Sequence, residues 1–187
     1  MTGDRHSDAA LVAAAGAGDR AALEALLARH LDLVHAVCRR VTGNPDDALD
    51  ATQEALLGIS RGVAGFDARS RVTTWIYRIA TNAALDEVRR RQRRPRPVDE
   101  LPVPPVRGVD DAVVARLDVD AALARLPPEF RAAVALRDLA GLDYAEIGAV
   151  LGIPAGTVRS RIARGRAALA DVLGNPEHPS ERPREQP

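Results

Sequence analysis

The chain has 187 residues, with 26 basic side chains, all arginine, against 26 acidic ones, so its formal net charge is zero. Hydrophobic residues make up 46% of it, but only five residues are Phe, Trp or Tyr, so the core has to be aliphatic and a soluble, mostly helical protein is expected. One cysteine excludes a disulfide scaffold and a multi-cysteine metal site, no apolar run approaches the roughly 20 residues of a bilayer span, and a zero charge balance argues against a nucleic-acid binder until the charges are mapped.

The N-terminus, residues 1–8, carries acids and no hydrophobic stretch of signal-peptide type, which predicts a cytoplasmic protein without membrane insertion. Leu23, Leu27, Leu31, Val34, Cys38 and Val41 recur at steps of three and four, the stripe of an amphipathic helix, and place Cys38 in the core. His30, His35 and Cys38 lack the fourth partner and the spacing of a metal site, so no metal or cofactor is expected. The next helix opens at Asn44, which can cap free amides, followed by Pro45 in the first turn and by aspartates at the positive dipole end. Asp46, Asp47, Asp50 and Glu54 share a face of it with Gln53 alongside, which reads either as a solvated acidic face or as a dock for a basic partner.

A loop over residues 61–70 leads to a long helix over about 71–94. Val72, Trp75, Ile76, Ile79, Ala80 and Ala83 make its buried stripe, and Thr74, Arg78, Asn82 and Asp86 a polar row at steps of four. It ends in Arg89, Arg90, Arg91, Arg93 and Arg94, more cations than the helix dipole requires. Charge is therefore segregated: residues 1–60 hold five arginines and nine acids, residues 61–96 ten arginines and three acids. A basic helix bearing an asparagine suits phosphate contact and base-edge reading.

Five of the 13 prolines fall within residues 95–105, which predicts a stiff linker over 95–111 between a helical domain over 1–94 and a second over 112–174, with a disordered tail over 175–187. In the second domain Asp143 and Glu146 form a capping-box-like helix start, Gly152 supplies a left-handed turn, and Pro154 opens another helix. Ile147, Leu151, Ile153, Val158 and Ile162 can make the core of a helix-turn-helix, with Leu169 also inward and Gly148 allowing close approach of the helices. The second of these helices presents Thr157, Arg159, Ser160, Arg161, Arg164 and Arg166, and residues 153–170 contain no acid. Such residues near the start of a recognition helix suit guanine edges and phosphates. The fold class is thus all-α, two small helical domains joined by a Pro-rich linker.

In order and spacing these motifs resemble sigma-70-type bacterial RNA polymerase sigma factors. DDALDATQEALL (46–57) and TTWIYRIATNAALD (73–86) resemble the second conserved region of that family; LPPEFR (126–131), DYAEIG (143–148) and IPAGTVRSR (153–161) resemble the fourth. Two such domains alone, joined by a Pro-rich linker, are similar to the extracytoplasmic-function (ECF) group. The resemblance implies a promoter-specificity subunit, not an enzyme, that brings the polymerase core to chosen promoters and nucleates strand opening. It implies docking of Asp47, Asp50, Gln53 and Glu54 on the beta-prime clamp, with the beta subunit as a further contact. It implies reading and melting of the minus-ten DNA by the loop over 61–71 and by Arg78, Asn82, Asp86, Arg89 and Arg90; Trp75 lies on the apolar stripe, which favours a core role over base stacking. It implies reading of the minus-thirty-five element by Arg159, Ser160 and Arg164, with Thr157 among the contacts and Arg161 and Arg166 on phosphates, and with Ala163 departing from the larger residue common there. An anti-sigma factor is the implied regulator, able to hold the protein at the membrane. The alternative is a stand-alone helix-turn-helix regulator that binds promoters without polymerase. An enzyme is disfavoured by four scattered histidines and the absence of any phosphate-loop or metalloprotease motif.

Overall fold

The computed structural model describes residues 7–93 and 120–173, so the linker over 95–111 and the tail over 175–187 lie outside it. Among the described residues the fold is all-α. Helix α1 (Asp8–Gly16) is capped by Ser7, and α2 (Arg20–Thr42) by Asp19. Both caps accept a hydrogen bond from a first-turn amide that the helix itself cannot satisfy. Asn44 caps α3 (Pro45–Gly62) through Asp46 N and Asp47 N at 2.9 and 3.0 Å. A short 3-10 turn, Val63–Gly65, prolongs α3, so the loop to α4 (Val72–Arg93) begins later than the sequence suggests.

Helices α2, α3 and α4 pack on one another in a bundle, with α1 laid across α2. The buried arc of α2 is Ala22, Leu26, His30, Val34, Val37, Cys38 and Val41. Leu31, expected inside, is 43% exposed, and Leu23 and Leu27 are only partly buried. The arc runs through His30, which an apolar pattern passes over; its Nε2 lies 2.9 Å from an Asp8 carboxylate oxygen, and that partner makes its burial tolerable. Cys38 is fully buried, points its thiol at Ala80 O, and is pushed up to about 11 by burial. No metal-holding group of His, Cys, Asp or Glu occurs among the described residues; His35 instead meets Thr52 Oγ1 at 3.2 Å.

The C-terminal helices are α5 (Pro128–Asp138), α6 (Tyr144–Leu151) and α7 (Ala155–Leu173), with residues 120–124 also helical. Asp143 and Glu146 complete a capping box at the start of α6, and Gly152 ends it at φ 66°, where a side chain would be strained. Ile147, Val150, Val158 and Ile162 form the apolar heart of α6 and α7, while Leu151 and Ile153 lie at its edge. A Cβ on Gly148 would sit 2.8 Å from Ile153 O, so only glycine lets the turn close this tightly.

The two groups of helices share a seam. Ala132 and Ala135 of α5 are part of the same core as α2, α3 and α4, and Tyr77 of α4 packs against the core of α6 and α7. Arg131, 5% exposed, donates to Val41 O (3.0 Å) across the seam and to Ala124 O (2.8 Å) and Leu126 O (2.9 Å) on its own side. Three carbonyls satisfy much of a guanidinium that burial pushes below its ordinary pKa. Gly43, at φ 68°, leaves it room, since a Cβ there would lie 2.5 Å from Arg131 Nη1. An ion pair from Arg40 to Asp120 at 3.1 Å closes the edge.

Candidate nucleic-acid interface and acidic docking face

On α3, Asp46, Asp50, Gln53 and Glu54 are exposed on one face. Asp47 is not part of it. Its side chain is 10% exposed and accepts a hydrogen bond from Arg91 Nη1 at 2.8 Å, tying the start of α3 to the end of α4. Asp47 follows Asp46 by one helical step of about 100°, which turns it from solvent toward α4. Two leucines that the sequence reading passed over complete the face: Leu49, 60% exposed, and Leu57, 40% exposed. With Asp46, Asp50, Gln53 and Glu54 they recur at steps of three and four, giving one solvent-facing stripe that is both apolar and acidic. The signal available was the run of small residues Ala48, Ala51, Thr52 and Ala55, which occupies the buried arc and leaves the leucines outside.

On α4, Arg78, Asn82 and Asp86 are exposed in a row, as are Arg89 and Arg90. Thr74, expected to begin that row, is buried: α2 and α3 both grip α4, so its interior arc is wider than one apolar stripe. Asp86 pairs with Arg89 at 2.7 Å. Arg90 Nη1 lies 2.9 Å from Glu87 Oε2, off the geometry of a hydrogen bond, with Glu87 itself 1% exposed. The basic end of α4 is therefore partly neutralised by its own acids. Trp75 is 7% exposed and packs on Phe66 with ring centroids 5.3 Å apart, which makes it core and anchors the loop to α4. In that loop Ala68 adopts φ 58°, a left-handed conformation that costs a non-glycine residue roughly 1–2 kcal/mol.

On α7, Arg159, Ser160 and Arg164 are exposed while Thr157 and Arg161 are half-buried. Arg166 pairs with Asp138 of α5, which raises its pKa by hydrogen bonding and charge. The Val158 and Ile162 face seats α7 on α6, so the arginines project outward from the turn. Gly165, which the sequence reading did not single out, packs against α5; a Cβ there would come within 2.7 Å of Val134 Cγ2.

Comparison with known proteins matches these surfaces to known regions. The family model "Sigma-70 region 2" matches residues 26–94, and "Sigma-70, region 4" matches residues 116–169. The chain is 42% identical over 175 residues to the ECF RNA polymerase sigma factor SigM of Mycobacterium tuberculosis, covering 92% of this chain and 88% of that one. It is 44% identical over 174 residues to the ECF RNA polymerase sigma factor SigE of Mycolicibacterium smegmatis, covering 88% of this chain and 66% of that longer protein. Among solved structures, CnrH in complex with the cytosolic domain of CnrY aligns with a TM-score of 0.68 at 25% identity, over 91% of this chain and 99% of that one.

Proposed function

The chain belongs to the ECF RNA polymerase sigma factors, and from that premise we propose how its surfaces divide the work of directing polymerase to promoters. The α3 stripe, with Asp50, Gln53 and Glu54 flanked by Leu49 and Leu57, docks on the basic clamp of the beta-prime subunit. Arg78 and Asn82 of α4 read the minus-ten element, and Arg89 and Arg90 hold its phosphates. Bases flipped from the duplex gain contacts that offset the few kcal/mol lost per unstacked step. Arg159, Ser160 and Arg164 of α7 enter the major groove of the minus-thirty-five element, with Thr157 and Arg161 at its phosphates. The chain performs no catalysis of its own and works in the cytoplasm, where polymerase is, and a cognate anti-sigma factor restrains it.

The two promoter elements, as their names state, lie about 25 base pairs apart, or about 85 Å at 3.4 Å per pair. A folded body of this size is about 40 Å across. Both reading surfaces therefore reach their elements only once the seam at Arg131 parts.

The observation that carries this reading is the coincidence of both family regions, in order, with helices whose arginines face solvent. The test is reconstituted transcription. Core polymerase with this protein is expected to initiate from discrete start sites on genomic DNA. Failure of the purified chain to bind core, or tight promoter binding by the chain alone, would overturn it in favour of a stand-alone regulator.

A further inference from the structure

Tyr144 is the first residue of α6, held in place by the capping box at Asp143 and half-buried between helices. Two guanidinium groups lie against its ring: Arg137 of α5, with Cζ 5.2 Å from the ring centroid, and Arg159 of α7, at 5.5 Å. Both distances fall within the reach of a cation–π contact. Arg137 is fixed from its other end, since its Nη1 donates to Leu142 O at 2.7 Å. Arg159 is exposed, and the tyrosine ring is the contact seen on its guanidinium. Three helices thus converge on one ring, and the exposed member of the group is an arginine placed to read a base.

A free arginine side chain samples many rotamers, and bidentate reading of a guanine needs its fork in one orientation. A rigid aromatic face that holds the guanidinium before DNA arrives removes part of the ordering cost. Apolar packing seats the ring, since Tyr144 lies against the core of α6 and α7, but it does not place the Arg159 guanidinium, which is exposed and shares that ring with a second like charge.

We propose that Tyr144 is a positioning residue for promoter choice: its ring holds the Arg159 guanidinium in the orientation that reads one base pair of the upstream element, so Tyr144 sets discrimination at that pair through Arg159. The inference rests on the groove reading of Arg159 given above. Its test uses the full chain with core polymerase on a set of promoters in which each upstream base pair is varied singly.

Arg159→Ala is expected to reduce discrimination at one pair about ten-fold, the range of a lost bidentate contact. Tyr144→Ala should relax the same pair about three-fold, in line with an exposed cation–π contact, and add nothing in the Arg159→Ala background. Tyr144→Phe, which keeps the ring, should behave as wild type. Tyr144→Leu keeps apolar bulk without the ring, so a folded Leu variant with relaxed discrimination separates positioning from folding. Discrimination unchanged in the Ala and Leu variants while Arg159→Ala relaxes it overturns the positioning role and leaves the groove reading standing. A uniform loss of initiation across all promoters, or a Phe variant that behaves like Ala, also overturns it. If Arg159→Ala relaxes no pair, the groove reading itself fails, and the inference with it.

Discussion

Asp47 lies one residue from the acidic stripe and does different work. Its carboxylate is held by Arg91, 44 residues further along the chain, so Asp47→Asn is expected to cost about 1–2 kcal/mol in urea unfolding while leaving core-polymerase affinity unchanged. Asp50→Asn should do the reverse, weakening docking without a stability change, and equal effects on both measurements would erase the distinction. The charge pattern grouped these acids because a pattern of letters carries no information on which cation approaches them in space. Cys38, by contrast, was legible, since its place on an apolar stripe already put it in the core. Its buried thiol titrates above the unfolded value, so it stabilises the fold below about pH 9, and that contribution is lost as pH rises toward about 11. The loss amounts to about 1.4 kcal/mol per pH unit, and burial of Tyr77 adds a loss of the same sign at higher pH. Denaturation at pH 8 and pH 10.5 should show a smaller drop for Cys38→Ala than for wild type.

Among the helices, α3 and the pair α6 and α7 show what a segment reveals on its own. Asn44, Pro45 and the following aspartates announced the start of α3, and its acids announced a face, but the letters alone do not say that Leu49 and Leu57 stand outside while the alanines go in. Their exposure follows from alanines that let α3 approach α2 and α4 closely. Leu49→Ala and Leu57→Ala should each lower core affinity about five- to ten-fold in a competition assay, as truncated interface anchors do, with unfolding unchanged within ~0.5 kcal/mol. Capping box, left-handed Gly152 and Gly148 were all readable, because the chemistry of a tight turn is local. Gly165 was not, since what it meets belongs to another helix. Alanine in a helix is worth about 1 kcal/mol over glycine. At position 165 the obstruction is Cγ2 of the buried Val134, a β-branched side chain that a helix holds to one rotamer, so Gly165→Ala should destabilise by about 1–2 kcal/mol despite the gain in helix propensity. At position 148 the obstruction is a backbone carbonyl, so Gly148→Ala should destabilise by about 1–3 kcal/mol in thermal or urea unfolding.

For the molecule as a whole, the sequence spelled out two helical groups and their order but not the seam between them. Arg131 reads as one more charge in LPPEFR, and only the fold brings it to Val41 O, 90 residues away. Asp120→Asn combined with Arg131→Met removes the polar clasp while leaving Ala132 and Ala135 in place. Small-angle scattering of that variant should give a larger radius of gyration than wild type, and its free form should bind promoter DNA more tightly; an unchanged radius would mean that apolar contact alone holds the seam. The single thiol, sealed under Ala80, has a further use. With one cysteine in the chain, a thiol reagent marks only molecules in which the bundle of α2, α3 and α4 has come apart. Its labelling rate is a clock for that opening, and comparing the rate for free protein with that for protein seated on polymerase would report how far binding to polymerase steadies the bundle, with no engineered probe.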